Sequence, residues 1–157
     1  MPIIDDKAKR DEIIGLLTEA YWMEIETVMN YIANSVNLDG VRAEEIKKSL
    51  GADVTAEITH AQQFAKRIKT LSGQAPGSFA FKPSQATLQP PADSRDVVSV
   101  IKGVIDAEHG AIQHYNRLIK ACDGVDYVTQ DMAIGILTDE QDHLREFEGF
   151  LKEYEGK

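Results

Sequence analysis

The sequence predicts an all-α fold in which four long helices pack as a bundle, with a long crossover between the second and the third. Apolar residues recur every three or four positions over four segments of the chain, which is the rhythm of a helix with one buried face. Four of the five prolines fall in the single stretch 72–91, which has no helical period and separates the segments into two pairs.

The apolar stripes and the turns that flank them define the helices in order. In the first helix the stripe runs from Ile13 to Tyr31, and the turn "NLDG" follows it. In the second the stripe runs from Ile46 to Leu71, although Gly51 would either break or kink this helix. The predicted helices span residues 7–36, 41–72, 93–121 and 126–155 of a single domain that covers residues 1–157.

The loop over residues 73–92 is long enough to cross the bundle. Its roughly 20 residues could span ~65 Å when extended, whereas a helix of about 30 residues is ~45 Å long. A crossover of this length returns the chain to its starting end, which predicts up-down-down-up connections. Asp93 or Ser94 is expected to cap the third helix, and Gly124 to end it before the fourth.

Charge, hydropathy and cysteine content argue against several classes of protein. The formal net charge of -9 argues against nucleic acid as a partner, because phosphate binding needs a basic surface. No apolar run approaches the roughly 18 residues of a membrane span, and "MPIIDDKAKRDE" does not have the pattern of a signal peptide. Cys122 is the one cysteine, which excludes an internal disulfide and a cysteine-based zinc site. We therefore expect a soluble cytoplasmic protein with an inert thiol and no membrane partner.

Two glutamate–histidine pairs share one spacing. Glu57 precedes His60 in "AEITHAQQ" in the second helix, and Glu140 precedes His143 in "TDEQDHLREF" in the fourth. Residues three apart lie one turn apart on the same face of a helix, where both could bind one metal ion. A single pair of this kind is more often a solvated surface pair, so the spacing alone does not establish a metal site.

The first and third helices each place a glutamate inside an apolar stripe. Glu24 lies between Ala20 and Thr27, and Glu108 has apolar residues four positions before and after it. A charged side chain in such a stripe is expelled unless it is paired or bound. Glu24 taken alone could still point outward beside the stripe.

The spacing of the candidate glutamates and of two tyrosines is nearly the same in the two halves of the chain. About 33 residues separate the first-helix glutamate from Glu57, and about 32 separate the third-helix glutamate from Glu140. Tyr31 and Tyr115 each follow the glutamate of their own helix by 7 residues. Each candidate ligand lies roughly 12 to 15 residues, or about 20 Å, from the end of its helix. All four helices therefore bring these side chains to one depth near the middle of the bundle.

Four carboxylates that meet in a dry core would repel one another and titrate toward neutrality unless cations hold them. Two divalent metal ions and two imidazoles resolve this conflict. The pattern resembles that of ferritin-like di-iron and di-manganese carboxylate proteins, which implies ions roughly 3.5 to 4 Å apart, bridged by Glu57 and Glu140, with Glu24 and Glu108 as outer carboxylates and one histidine for each ion. Mixed oxygen and nitrogen ligands favour iron or manganese and admit zinc as a substitute. Oxygen or hydrogen peroxide is then the expected second substrate.

The chain resembles the ferritin-like superfamily, and within it the bacterioferritins and Dps-like ferritins. Di-iron members carry a glutamate on each of two helices and Glu-x-x-His on each of the other two, and "DYVTQDMAIGILTDEQDHLREFE", residues 126–148, resembles the bacterioferritin fourth helix. The resemblance covers nearly the whole chain. It implies a homo-oligomeric ferroxidase that oxidises ferrous iron with oxygen or peroxide for storage or detoxification. The di-iron ligands that it implies are Glu24, Glu57, His60, Glu108, Glu140 and His143.

The resemblance also assigns supporting residues and leaves two other functions open. Asp139 occupies the place of a family aspartate that accepts a hydrogen bond from a ligand histidine. Tyr31 matches a tyrosine beside the bacterioferritin centre, whereas Tyr115 is similar to one in rubrerythrins. This pair would either hydrogen-bond the outer carboxylates or supply electrons. The alternatives are a rubrerythrin-like peroxide-reducing oxidase without storage and a Dps-like, non-enzymatic protective coat.

Three departures from the family pattern refine these expectations. Ile58 stands where bacterioferritins have a haem-ligating methionine, so we expect no haem at that position. The chain stops just past the fourth helix, without the short fifth helix of ferritins and bacterioferritins, which favours a shell of 12 subunits over one of 24. The first helix has no histidine, unlike that of Dps proteins with sites between subunits, so we expect the centre inside each bundle.

Overall fold

The computed structural model describes residues 2–156 as four long α-helices joined by loops. The helices are Lys7–Asn37 (α1), Glu44–Thr70 (α2), Val97–Cys122 (α3) and Tyr127–Glu155 (α4). Short 3-10 turns lie at Val41–Ala43, Ser78–Ala80 and Ala86–Leu88. No strand occurs among these residues, so the predicted all-α four-helix class is confirmed. None of the described helices is long and apolar enough to cross a membrane.

The connections run up-down-down-up, as predicted. α1 packs chiefly against α2, and α3 chiefly against α4, so each consecutive pair forms an antiparallel hairpin. α1 and α3 are also antiparallel, because Tyr31 contacts Glu108 while Tyr115 contacts Glu24. The crossover from α2 to α3 therefore runs along the length of the bundle.

The start of α3 differs from the sequence prediction. Its N-cap is Asp96, whose Oδ1 accepts a hydrogen bond from the Ser99 backbone N–H at 3.0 Å. The prediction that Asp93 or Ser94 caps this helix is wrong. Asp93 instead accepts the Arg95 backbone N–H at 2.9 Å in a turn that precedes the helix. Both aspartates can satisfy a free N–H group, and the structure uses the later one for the helix.

The remaining helix ends follow from local sequence. α2 starts at Glu44, later than the predicted residue 41, because a 3-10 turn precedes it, and it continues through Gly51 without a break. Gly124 follows α3 with φ of +70°, a backbone conformation that glycine adopts without steric cost. Asp126 caps α4, where its Oδ1 accepts the Thr129 backbone N–H at 3.1 Å.

The apolar core is divided into two clusters, one toward each end of the bundle. The first includes Ile13, Leu17, Phe64, Ile68 and Leu118. The second includes Leu38, Ile46, Leu50, Ile101 and Phe147. Burying a side chain of this kind contributes about 1.5–3 kcal/mol. On every helix a buried glutamate lies between the stretches that contribute to the two clusters, so tight packing on both sides holds a polar layer at mid-height.

Polar side chains of α1 hold the crossover. Glu26, which is 4% exposed, accepts hydrogen bonds from the backbone N–H groups of Ser84 and Gln85, each at 2.8 Å. Asn34 Nδ2 donates to the Leu88 carbonyl oxygen at 2.9 Å. Gln85 is half-buried and Leu88 is buried, so these bonds hold the second half of the crossover against α1.

α3 accommodates the crossover at Gly103. A Cβ built at this position would overlap the Thr87 carbonyl oxygen and would lie 3.1 Å from the Leu88 Cα. Only glycine allows the two backbones to approach this closely without a shift.

Candidate metal centre

Four glutamates and two histidines meet between the two apolar clusters. They form two overlapping groups, and within each group one candidate ligand atom from every residue lies within 4.8 Å of the others. The first group is Glu24, Glu57, His60 and Glu140, and the second is Glu57, Glu108, Glu140 and His143. All six side chains that the sequence predicts as ligands are thus brought together, and Glu57 and Glu140 belong to both groups.

The centre is buried, and many of its inward atoms lack hydrogen-bond partners. Each of the four glutamates is at most 2% exposed. Among the described residues, the buried side-chain atoms without a partner include Glu24 Oε2, Glu57 Oε1, His60 Nδ1, Glu108 Oε2, Glu140 Oε1 and His143 Nδ1. Leaving one such atom unsatisfied costs roughly 1–3 kcal/mol. The donor set therefore fits cations that would take these lone pairs.

His60 is held from both sides. Its Nδ1 faces the centre, 3.0 Å from Glu140 Oε1 and 3.7 Å from Glu24 Oε2. Its Nε2 lies 2.8 Å from Asp139 Oδ2, so the aspartate expected beside a ligand histidine is in hydrogen-bond contact with one. A ring that donates from Nε2 presents the Nδ1 lone pair to the centre.

His143 has the same orientation with a looser support. Its Nδ1 lies 3.2 Å from Glu57 Oε1, while its Nε2 points toward Asp53 Oδ1 at 3.6 Å. Asp53 is not among the residues that the sequence predicts for this centre. Asp53 lies four residues before Glu57, and this spacing puts both side chains on one face of α2. The spacing alone does not identify Asp53 as part of the centre, because aspartates so placed are also common on solvated helix surfaces.

The two tyrosines cross the bundle symmetrically. The Tyr31 hydroxyl of α1 donates to Glu108 Oε1 of α3 at 2.9 Å. The Tyr115 hydroxyl of α3 donates to Glu24 Oε1 of α1. Each tyrosine thus binds the outer carboxylate of the opposite helix and fixes one of its oxygens, which leaves the other oxygen directed into the centre.

Burial and mutual repulsion set the protonation of the carboxylates. Burial raises the pKa of Glu24 and of Glu108 well above the usual range, and the neighbouring carboxylates of Glu57 and Glu140 add to this effect. Burial acts on Glu57 and Glu140 as well, but the neighbouring carboxyls and the nearby imidazoles of His60 and His143 lower their pKa values below the usual range. Burial also disfavours the charged form of His143, yet the nearby carboxylates of Glu140 and Glu57 raise its pKa to about 10.

These shifts make the centre an exchanger of protons for cations. The pKa of the His60 imidazole is also raised, because the effect of the surrounding carboxylates outweighs that of burial. Two divalent cations would balance the charge of four carboxylates beside two neutral imidazoles, and their binding would displace protons from these ligands.

Known proteins resemble this chain in both sequence and fold. It matches the ferritin family, a ferritin-like domain, over residues 14–156. The bacterioferritin of Desulfovibrio desulfuricans is 28% identical over 145 residues, which are 92% of this chain and 75% of that protein. The X-ray structure of the Desulfovibrio desulfuricans bacterioferritin, which describes its diiron site, superposes with a TM-score of 0.81 at 25% identity, over 95% of this chain and 83% of that chain.

Two further relatives broaden the comparison. The DNA protection during starvation protein of Pyrococcus furiosus is 24% identical over 152 residues, with 90% of this chain and 77% of that protein covered. The bacterioferritin-related protein of Bacteroides fragilis, a dodecameric thioferritin, has the same fold, with a TM-score of 0.80 at 23% identity over 92% of this chain and 87% of that chain. Since the family match spans most of the chain and the four-helix fold agrees with it, this protein belongs to the ferritin-like family.

Proposed function

We propose that this protein is a ferroxidase, which oxidises ferrous iron with oxygen or hydrogen peroxide at a centre inside each bundle, for iron storage or detoxification. The observation that carries the proposal is the overlap of the two ligand groups, which share Glu57 and Glu140. Two shared carboxylates suit a pair of ions roughly 3.5–4 Å apart. Similarity to a bacterioferritin supports iron as the metal, although manganese and zinc are compatible with the same ligands.

The six ligands divide between two positions. One ferrous ion would bind Glu24 and His60, the other Glu108 and His143, and both would share the bridging glutamates. Each ion gives up one electron. The two electrons and two protons convert oxygen to hydrogen peroxide, or convert one hydrogen peroxide to two waters. The tyrosine hydroxyls hold the outer carboxylates in place while the ions enter and leave.

A rubrerythrin-like oxidase, which would reduce peroxide and keep its two irons, is the second candidate. The bond from Tyr115 to Glu24 favours it, because it completes a symmetric pair of tyrosines around the centre. These 157 residues contain one cysteine, too few for a rubredoxin-type site, so electrons would have to come from outside this domain. This function predicts peroxide consumption that continues when a reductant is supplied.

A Dps-like protective coat receives less support. Similarity to the Pyrococcus furiosus protein named for DNA protection favours it, whereas the net charge of -9 opposes contact with phosphates. We expect no retention of DNA on a gel at low salt, where electrostatic binding is strongest.

A homo-oligomer, with a shell of 12 subunits favoured over one of 24, is part of the proposal. The Bacteroides fragilis protein of the same fold is described as dodecameric. Met29, Ile32 and Val36 form an exposed apolar stripe along α1, with exposed fractions of 58%, 47% and 72%, as a buried subunit contact would require. The mass of the native particle, measured by light scattering, tests this number.

The ferroxidase proposal is tested by removing the shared ligands. Glu57→Ala and Glu140→Ala should slow the oxidation of added ferrous iron to the rate in buffer, as followed by the absorbance of the ferric product. Asp131→Ala, an exposed α4 carboxylate outside the centre, should oxidise iron as the parent does. Both ligand variants should keep the helical circular dichroism spectrum, since a centre used for catalysis is not needed for folding. Parental oxidation rates in both variants would refute the proposal.

A further inference from the structure

The two ligand histidines have unequal support. The outward nitrogen of His60 makes a 2.8 Å contact with Asp139, whose side chain is 54% exposed. The outward nitrogen of His143 faces Asp53 at 3.6 Å, and the Asp53 side chain is 14% exposed. Water can replace an exposed partner more readily than a buried one, so the buried aspartate has the stronger hold on its histidine once contact is made.

One carboxylate oxygen of Asp53 lacks a hydrogen-bond partner beside His143. Its Oδ2 is buried and has no hydrogen-bond partner, while Oδ1 is the atom nearest His143 Nε2. Asp53 belongs to neither of the two groups of candidate ligand atoms. Its position on α2, one turn before Glu57, ties it to the same rigid helix that supplies a bridging carboxylate.

We propose that Asp53 is the positioning residue for His143: it accepts a hydrogen bond from Nε2 when Nδ1 binds a cation. The inference rests on the proposed function, because it assumes a cation at Nδ1. Closing the present gap to hydrogen-bond length needs an approach of about 0.6 Å, which a small rotation of either side chain provides. The bond keeps the proton on Nε2 and the Nδ1 lone pair on the metal, as outer-shell carboxylates do for ligand histidines in general.

The consequence is that Asp53 supports one metal position and Asp139 the other. The Glu108 and His143 position depends on Asp53, whereas the Glu24 and His60 position depends on Asp139. Loss of one aspartate should therefore weaken one ion of the pair and spare the other. A general loss of negative charge would weaken both.

The test is anaerobic titration of the metal-free protein with Co²⁺ alone, read by the visible absorption of the bound ion and by equilibrium dialysis. The parent should bind two ions per chain. Asp53→Ala should weaken one of them by about 10–100-fold and leave the other unchanged, and Asp53→Asn, which keeps an acceptor oxygen, should fall between the two. When His143 is already replaced by alanine, Asp53→Ala should not lower the Co²⁺ affinity any further.

Each outcome decides the matter. Two unchanged affinities in Asp53→Ala would overturn the role of Asp53 and leave the proposed function intact. Equal weakening of both ions, or a further loss in the His143→Ala background, would show that Asp53 acts through its charge rather than through His143. A parent that binds no Co²⁺ at any concentration tested would overturn the proposed function itself. Asp139→Ala is the matched control and should weaken only the other ion.

Discussion

Arg67 joins α2 to the start of α4, and its removal is expected to destabilise the bundle strongly. Its Nη2 lies 2.9 Å from Asp126 Oδ1, and its Nε donates to Thr129 Oγ1 at 2.7 Å. The side chains of Arg67 and Asp126 are 12% and 2% exposed. Arg67→Met keeps most of the aliphatic stem but leaves the Asp126 carboxylate buried without its cation, which typically costs about 3–5 kcal/mol.

The expected change in Tm follows from the size of the chain. An unfolding entropy of about 2.1 cal/mol/K per residue, over 157 residues, gives about 0.33 kcal/mol/K. Dividing the stability loss by this entropy predicts that Tm falls by about 9–15 °C. Thermal unfolding of metal-free protein at pH 7, followed by circular dichroism at one protein concentration, measures this shift.

Two control variants separate the buried charge from other effects. Arg67→Met with Asp126→Asn removes both charges and keeps an N-cap side chain, so it should recover much of the lost stability. Lys7→Met breaks an exposed pair with Asp11, with side chains 77% and 55% exposed, and should leave Tm nearly unchanged. A fall of less than about 3 °C in Arg67→Met, or no recovery in the double variant, would refute the reasoning.

Three further predictions concern the crossover, the thiol and the tyrosines. Gly103→Ala should cost about 1–3 kcal/mol in urea unfolding, because its Cβ overlaps a crossover carbonyl oxygen, whereas Gly110→Ala, with open space around its Cβ, should not destabilise the protein. Cys122 should react with maleimide at pH 8 only after denaturation, because burial is the main factor that raises its pKa to about 12; prompt labelling of native protein would contradict this. Tyr31→Phe and Tyr115→Phe should fold normally yet bind Co²⁺ about 10–100-fold more weakly, and parental affinity in both would show that their hydroxyls do not support the carboxylates.

The sequence was informative where the chemistry recurs at a fixed helical spacing. Glu57 and His60 share one face of α2 because they are three residues apart, and Glu140 and His143 do so on α4. Placing all six residues at one depth required only helix lengths and the repeat of the two halves. The fold class followed from the same periodicity.

Features that depend on contacts between distant segments were not accessible in this way. Glu26 is buried because the crossover turns its backbone N–H groups toward α1, and no local pattern specifies that path. Asp53 becomes relevant only because His143 of α4 faces it across the bundle. Asp93 and Asp96 are both competent N-caps, and local sequence does not distinguish them.

The most direct test of the ferroxidase account adds ferrous iron under air at rising ratios, then measures iron per chain across a sizing column. The account predicts a large particle that carries far more iron than the two ions of each centre, formed at a rate that depends on Glu57 and Glu140. A plateau near two irons per chain would retain the centre but contradict storage, in favour of the peroxide-reducing oxidase. No iron retained with the protein would contradict the metal centre itself.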